Sequence, residues 1–170
     1  MTDGAGALSL FDLVERHYAL LYRYAYRLTG SEADAEDLTQ QTFLTAQHKL
    51  DQLRDVERAK SWLCAILRNA YLKELRAPSS VPFGSLESFV EPEWHGEEPE
   101  FDQEQLQNVL NDLPEEYRTP LVLFYFQDFS YKEIAEQMGV PPGTVMSRLS
   151  RGKAYLRQQL LSPDAAPLPH

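Results

Sequence analysis

The chain has 170 residues, 43% of them apolar, with one cysteine and a formal net charge of −10. That length holds one ordinary domain or two small ones, and the apolar share suffices for folded cores. The single cysteine, Cys64, excludes an intrachain disulfide framework and a cysteine-based metal cluster, and it fits a reducing, cytoplasmic setting.

In chain order, residues 8–28 place Leu10, Leu13, Val14, Tyr18, Leu21, Tyr22, Ala25 and Leu28 at spacings of three and four, which predicts an amphipathic helix. Gly30 stops it, and Ser31 with Asp34 has the form of a capping box for the next helix. Acids Glu32, Asp34, Glu36 and Asp37 crowd the first turns of that helix, where the macrodipole favours them. Leu38, Phe43, Leu44 and Ala46 supply its apolar positions. Residues 51–60 are polar and read as a loop, and residues 61–76 as a third amphipathic helix whose basic residues lie in its second half.

Residues 77–105 carry eight acids and no Lys or Arg, so this segment supplies −8 of the net charge, while residues 1–76 and 106–170 contribute −1 each. Its prolines, serines and acids predict a linker without regular structure. Phe83, Leu86, Phe89, Val90, Trp94 and Phe101 punctuate the linker and suggest docking rather than free coil. Residues 103–112 read as helical, and Leu113-Pro114-Glu115-Glu116 restarts a helix, with Pro114 near its first position and Pro120 an awkward residue inside it. No apolar run approaches the roughly 20 residues of a membrane span, and the N-terminus lacks a signal-peptide pattern.

Two short helices joined by a tight turn follow. Ser130 with Glu133 forms a capping box, Ile134, Ala135 and Met138 face inward, Gly139 permits the turn, and Pro141-Pro142-Gly143-Thr144 opens the second helix. Val145 and Leu149 lock that helix to a core, which leaves Thr144, Ser147, Arg148, Arg151 and Lys153 to face outward. Arg148, Arg151, Lys153 and Arg157 make residues 143–160 locally +4 with no acid. This is the pattern of a helix-turn-helix DNA reader: Arg pairs with guanine edges, and Ser, Thr and Lys grip phosphate. A helical hairpin with a solvated basic face is the bland alternative.

These residues resemble a known family. Leu113-Pro-Glu-Glu-Tyr-Arg118, Phe129-Ser-Tyr-Lys-Glu-Ile-Ala135 and Gly143-Thr-Val-Met-Ser-Arg-Leu149 are similar to region 4 of bacterial extracytoplasmic-function (ECF) sigma factors of the sigma-70 superfamily. Asp34-Ala-Glu-Asp-Leu-Thr-Gln-Gln-Thr-Phe-Leu-Thr-Ala46 resembles region 2.2, and Ser61-Trp-Leu-Cys-Ala-Ile-Leu-Arg-Asn-Ala-Tyr-Leu-Lys-Glu-Leu-Arg76 resembles regions 2.3 and 2.4. The matches stand in the family's order and cover nearly all of residues 8–160.

The resemblance implies an all-α protein of two small helical domains: region 2 at 8–76, an acidic flexible linker at 77–105, region 4 at 106–160 and a tail at 161–170. It implies a cytoplasmic, non-enzymatic subunit that binds core RNA polymerase and directs initiation at promoter −10 and −35 elements. An anti-sigma factor is a further implied partner, and no cofactor, metal, membrane insertion or small-molecule substrate is implied. Asp37, Gln40, Gln41 and Phe43 map to the helix that docks on core polymerase; the family often has an acid where Gln41 stands. Arg54, Arg58, Lys60, Arg68, Asn69 and Lys73 map to −10 recognition and melting, where cations hold the freed strand. Trp62 and Cys64 read as packed residues of that helix, with base stacking and redox sensing as their alternatives. Thr144, Ser147, Arg148, Arg151 and Lys153 map to the −35 helix; relatives often carry a base where Met146 stands. Glu115, Glu116 and the run Leu121–Phe126 read as capping and core. An acidic linker there either mimics nucleic acid or serves as a solvated spacer. A helix-turn-helix regulator independent of polymerase is the runner-up, and an interaction protein the third reading. A simple regulator calls for a dimerisation or effector domain in the N-terminal block, where this chain has an acidic helix and a basic one.

Overall fold

A computed structural model describes residues 8–75, 86 and 102–161. The described secondary structure is helical throughout, and the chain divides into two compact units, Met1–Tyr26 with Ser31–Leu75, and Arg27–Gly30 with Arg76–His170. None of the described helices is long and apolar enough to cross a membrane.

The first unit is built on α1 (Leu10–Thr29), α2 (Glu32–His48) and α3 (Ala59–Glu74). A capping box starts α1: Ser9 Oγ accepts from the Asp12 N–H at 3.2 Å, and the Asp12 carboxylate accepts from the Ser9 N–H at 3.1 Å. The Ser9 hydroxyl, which donates to the Asp12 carboxylate at 2.8 Å, and after it the Ser9 N–H hold the Asp12 carboxyl below the usual carboxylate range. Gly30, at φ +70°, breaks the chain direction, and Ser31 Oγ accepts from the Asp34 N–H, as its spacing predicts. Leu13, Leu21, Tyr24, Ala25 and Leu28 form the buried face of α1.

Helix α2 packs on α3, and its buried residues are Ala35, Leu38, Thr39, Thr42, Phe43 and Ala46. The two threonines are tolerated there because their hydroxyls donate to the helix's own carbonyls, Thr39 to Ala35 O at 2.7 Å and Thr42 to Leu38 O at 2.8 Å. The polar stretch before α3 is not plain loop: it contains 3-10 turns at Leu50–Gln52 and Val56–Arg58. On α3, Leu63, Cys64 and Leu67 are fully buried. Burial pushes the Cys64 thiol up to about 12, which leaves no reactive thiolate for a redox sensor.

The second unit holds α4 (Gln103–Asp112), α5 (Glu115–Tyr125), α6 (Tyr131–Met138) and α7 (Pro142–Leu161). Asp102 caps α4 by accepting from the Glu104 N–H at 3.1 Å. Pro114 is the N-cap of α5, and Pro120 is accommodated inside that helix, fully within its packed face. Helix α7 is the hub, packed on α4, α5 and α6. Its Val145, Leu149, Gly152, Ala154 and Tyr155 are buried. The run 121–126 is core only as far as Leu123: Phe124 is half-buried, and Tyr125 and Phe126 are exposed. Most of the acidic segment, with Glu91, Glu93, Glu97 and Glu98, lies outside the described residues; Leu86 within it is fully buried.

Candidate nucleic-acid interface

The helix-turn-helix forms as its local chemistry dictates. Ser130 Oγ accepts from the Glu133 N–H at 3.2 Å and donates to the Glu133 carboxylate at 3.1 Å, so one orphan amide is satisfied and the glutamate is held back over the cap. Gly139 takes the left-handed conformation at φ 66°, ψ 35°, its N–H donating to Ala135 O, and nothing lies within 4 Å of where its Cβ would stand. A side chain there is opposed by the backbone, not by neighbours. The Pro141 carbonyl accepts from the N–H groups of Thr144 and Val145, which starts α7 with Pro142 in its first turn.

On α7, positions three and four apart share a face. Gly143, Met146, Ser147 and Ser150 form one outward strip, and Thr144, Arg148 and Arg151 form the neighbouring edge. Gly143, Met146 and Ser147 are exposed; Ser150, Thr144, Arg148 and Arg151 are half-buried. Lys153 departs from the sequence reading in its surroundings: its ammonium lies 5.7 Å from the centre of the Tyr125 ring, on the side of α5. Tyr125 in turn meets Phe124 edge-on at 5.0 Å, and Phe124 stacks with Tyr131 at 5.1 Å. This partly exposed aromatic cluster beside α7 has no periodic signature, since Tyr125 and Tyr131 come from two different helices.

In the first unit, Arg54 and Arg58 project from the exposed turns before α3. Arg58 pairs with Asp55 at 3.9 Å, an exposed and weak contact that phosphate can displace. Asn69 and Lys73 are exposed four residues apart on α3, while Lys60 and Arg68 are half-buried along it. Trp62 is half-buried and Tyr71 buried, which leaves neither as an open stacking platform. His17 titrates below the ordinary imidazole range because it is partly desolvated and faces the charges of Arg16 and Lys60.

The α2 residues mapped to docking from the sequence include one pair of neighbours that the structure places otherwise. Asp37, Gln40 and Gln41 are exposed on one face. Phe43 is instead buried, its ring stacked parallel to Tyr18 at 6.3 Å. Leu44, read from sequence as a core position, is 59% exposed and continues the strip of Asp37, Gln40 and Gln41. One residue along a helix turns a side chain by 100°, and two adjacent apolar residues do not declare which of them faces inward.

Comparison with known proteins places these features in one family. The sigma-70 region 2 profile matches residues 13–80, and the sigma-70 region 4 profile matches residues 103–156. The ECF RNA polymerase sigma factor SigL of Mycobacterium tuberculosis is 34% identical over 87% of this chain and 86% of its own length. SigV of Bacillus subtilis, an RNA polymerase sigma factor, is 30% identical over 91% of this chain and 93% of its own. The ECF sigma factor SigE of Mycolicibacterium smegmatis is 34% identical over 93% of this chain, which spans 64% of that longer relative. Among solved structures, the sigma factor RpoE of Bartonella quintana, in complex with the anti-sigma factor NepR, superposes with a TM-score of 0.68 at 26% identity, covering 89% of this chain and 95% of that one. The chain belongs to the ECF family of sigma-70 RNA polymerase sigma factors, which direct promoter-specific transcription initiation.

Proposed function

We propose that this chain docks on core RNA polymerase through the α2 strip of Asp37, Gln40, Gln41 and Leu44. The combination of two hydrogen-bonding amides, one acid and one exposed leucine on a helix face whose other side is fully packed supports that reading. Residues 8–76 act as the −10 module. Arg54, Arg58, Lys60, Arg68, Asn69 and Lys73 hold the separated strand there, chiefly by its phosphates. Residues 106–160 act as the −35 module, with α7 laid in the major groove. The acidic segment 77–105 joins the modules and contributes −8 of charge, so the free chain has little pull on DNA and polymerase supplies the remaining affinity. The protein works as an initiation factor in the cytoplasm rather than as an enzyme. An anti-sigma factor is its second protein partner, by analogy with the RpoE complex.

The observation that carries this reading is the pairing of an acidic docking helix and a basic helix in one unit with a helix-turn-helix in the other. Co-elution with purified core RNA polymerase tests it. The full chain is expected to travel with core, and Leu44→Glu, which leaves the packed face of α2 intact, is expected to remain free. A Leu44→Glu variant that binds core as well as the parent contradicts the assignment of the strip.

A further inference from the structure

We infer that Met146 reads a thymine in the −35 element by packing its side chain on the thymine C5 methyl group. The inference rests on the sigma-factor reading and adds a residue and a base chemistry to it. Met146 is 53% exposed near the start of α7, on the strip it shares with Gly143, Ser147 and Ser150. These four residues are uncharged, and Lys153, three residues past Ser150, continues their face toward the C-terminal half of the helix. Arg148 and Arg151 stand on the edge they share with Thr144, and the Lys153 ammonium is drawn over the Tyr125 ring. A helix that enters the major groove by its N-terminal turns meets base edges with the exposed residues of those turns, and flanking cations meet phosphates.

A long apolar side chain at that place has one apolar counterpart in the groove. Adenine, guanine and cytosine present donors and acceptors there, and thymine alone presents a methyl group. Methionine is unbranched and polarizable, so it reaches and covers such a group without a fixed geometry. It satisfies no donor or acceptor, so a polar edge pressed against it loses water without replacement, which adds rejection of the wrong base to attraction for the right one. Ser147, next to it and exposed, has a hydroxyl that donates or accepts and therefore tolerates either neighbour. The −35 element recognised by this chain thus contains a thymine that pairs with Met146 through a methyl contact rather than a hydrogen bond.

Replacing thymine by deoxyuridine removes that methyl group and nothing else. The experiment uses holoenzyme assembled from core polymerase and the full chain, on a promoter whose start site has been mapped. Each thymine of the −35 element, on either strand, is replaced in turn by deoxyuridine, and the rate of open-complex formation is read. With the parent chain, one position is expected to lose about fourfold, the worth of one buried methyl-sized group. Met146→Leu keeps this sensitivity, and Met146→Ala loses it. If no position responds, or if the response persists in Met146→Ala, the inference is overturned while the sigma-factor reading stands. A holoenzyme with no promoter-specific starts at all overturns that reading, and the inference with it.

Discussion

Gly152 of α7 lies so close to Leu121 of α5 that a Cβ on the glycine would meet Leu121 Cδ1 at 2.8 Å and Cγ at 3.3 Å. Leu121 is 1% exposed and is enclosed by the core, so it has little room to retreat. The contact sets how near the reading helix stands to its support. Gly152→Val is expected to lower the stability of the second unit by about 1–3 kcal/mol, the usual cost of overpacking. Gly152→Ala, which adds only that Cβ, is expected to destabilise as well but by less than valine, because a gain of about 0.5–1 kcal/mol in helix preference offsets part of the crowding. Urea unfolding followed by hydrogen exchange in α5 and α7 measures both. A neutral valine variant contradicts the close packing.

Arg118 is buried, and its guanidinium donates to Leu113 O at 2.6 Å and Asn111 O at 3.4 Å. It thereby satisfies carbonyls left open where α4 ends. Arg118→Met is expected to cost about 2–3 kcal/mol, the range for hydrogen bonds made by a charged group. Arg118→Lys is expected to recover little, since an ammonium lacks the planar fork that spans two acceptors. Thermal unfolding of the three proteins side by side checks the order.

Much of the fold is legible in the sequence because its signals are local. Ser31 and Ser130 cap where their spacing to Asp34 and Glu133 predicts, and Gly139 adopts the left-handed turn that joins α6 to α7. The start of α4 at Gln103 follows from Asp102 as its cap. What escapes is tertiary. The choice between Phe43 and Leu44 for the interior depends on Tyr18, twenty-five residues away, offering a ring to stack on. Arg118 looks like a solvated cation by residue type and is buried because carbonyls await it. The same holds for the site. The basic character of α7 is read directly, whereas the draw of the Lys153 ammonium to Tyr125 requires knowing how α5 packs on α7.

Cys64 gives a pH signature. Its thiol, fully buried on α3, is pushed from the ordinary 9.0 up to about 12. Above pH 9 the unfolded chain releases this proton while the folded chain keeps it. The folded state then binds more protons, and stability falls as pH rises through that window. The slope reaches about 1.4 kcal/mol per pH unit for one such group. Below pH 9 the group makes no difference. Comparing the parent with Cys64→Ala between pH 8 and pH 11 isolates the effect from other titrating groups: the parent is expected to lose stability more steeply. Equal slopes contradict the burial of the thiol.

The edge position of Arg148 and Arg151 predicts phosphate contacts. Alanine at either residue is expected to weaken promoter binding by holoenzyme to a similar extent across −35 sequence variants. Each substitution is also expected to reduce the slope of log affinity against log salt by about one. Binding titrations at several salt concentrations on a panel of single-base variants read both quantities. A loss confined to one base pair, with the slope unchanged, marks a direct base contact instead.

The most direct measurement is transcription in vitro with purified core RNA polymerase on DNA fragments from the source genome, with start sites mapped in the presence and absence of the chain. The expected result is a set of new start sites that share −10 and −35 elements, absent with core alone and lost with Leu44→Glu. A chain that yields no new starts and does not bind core contradicts its assignment as a promoter-selecting subunit.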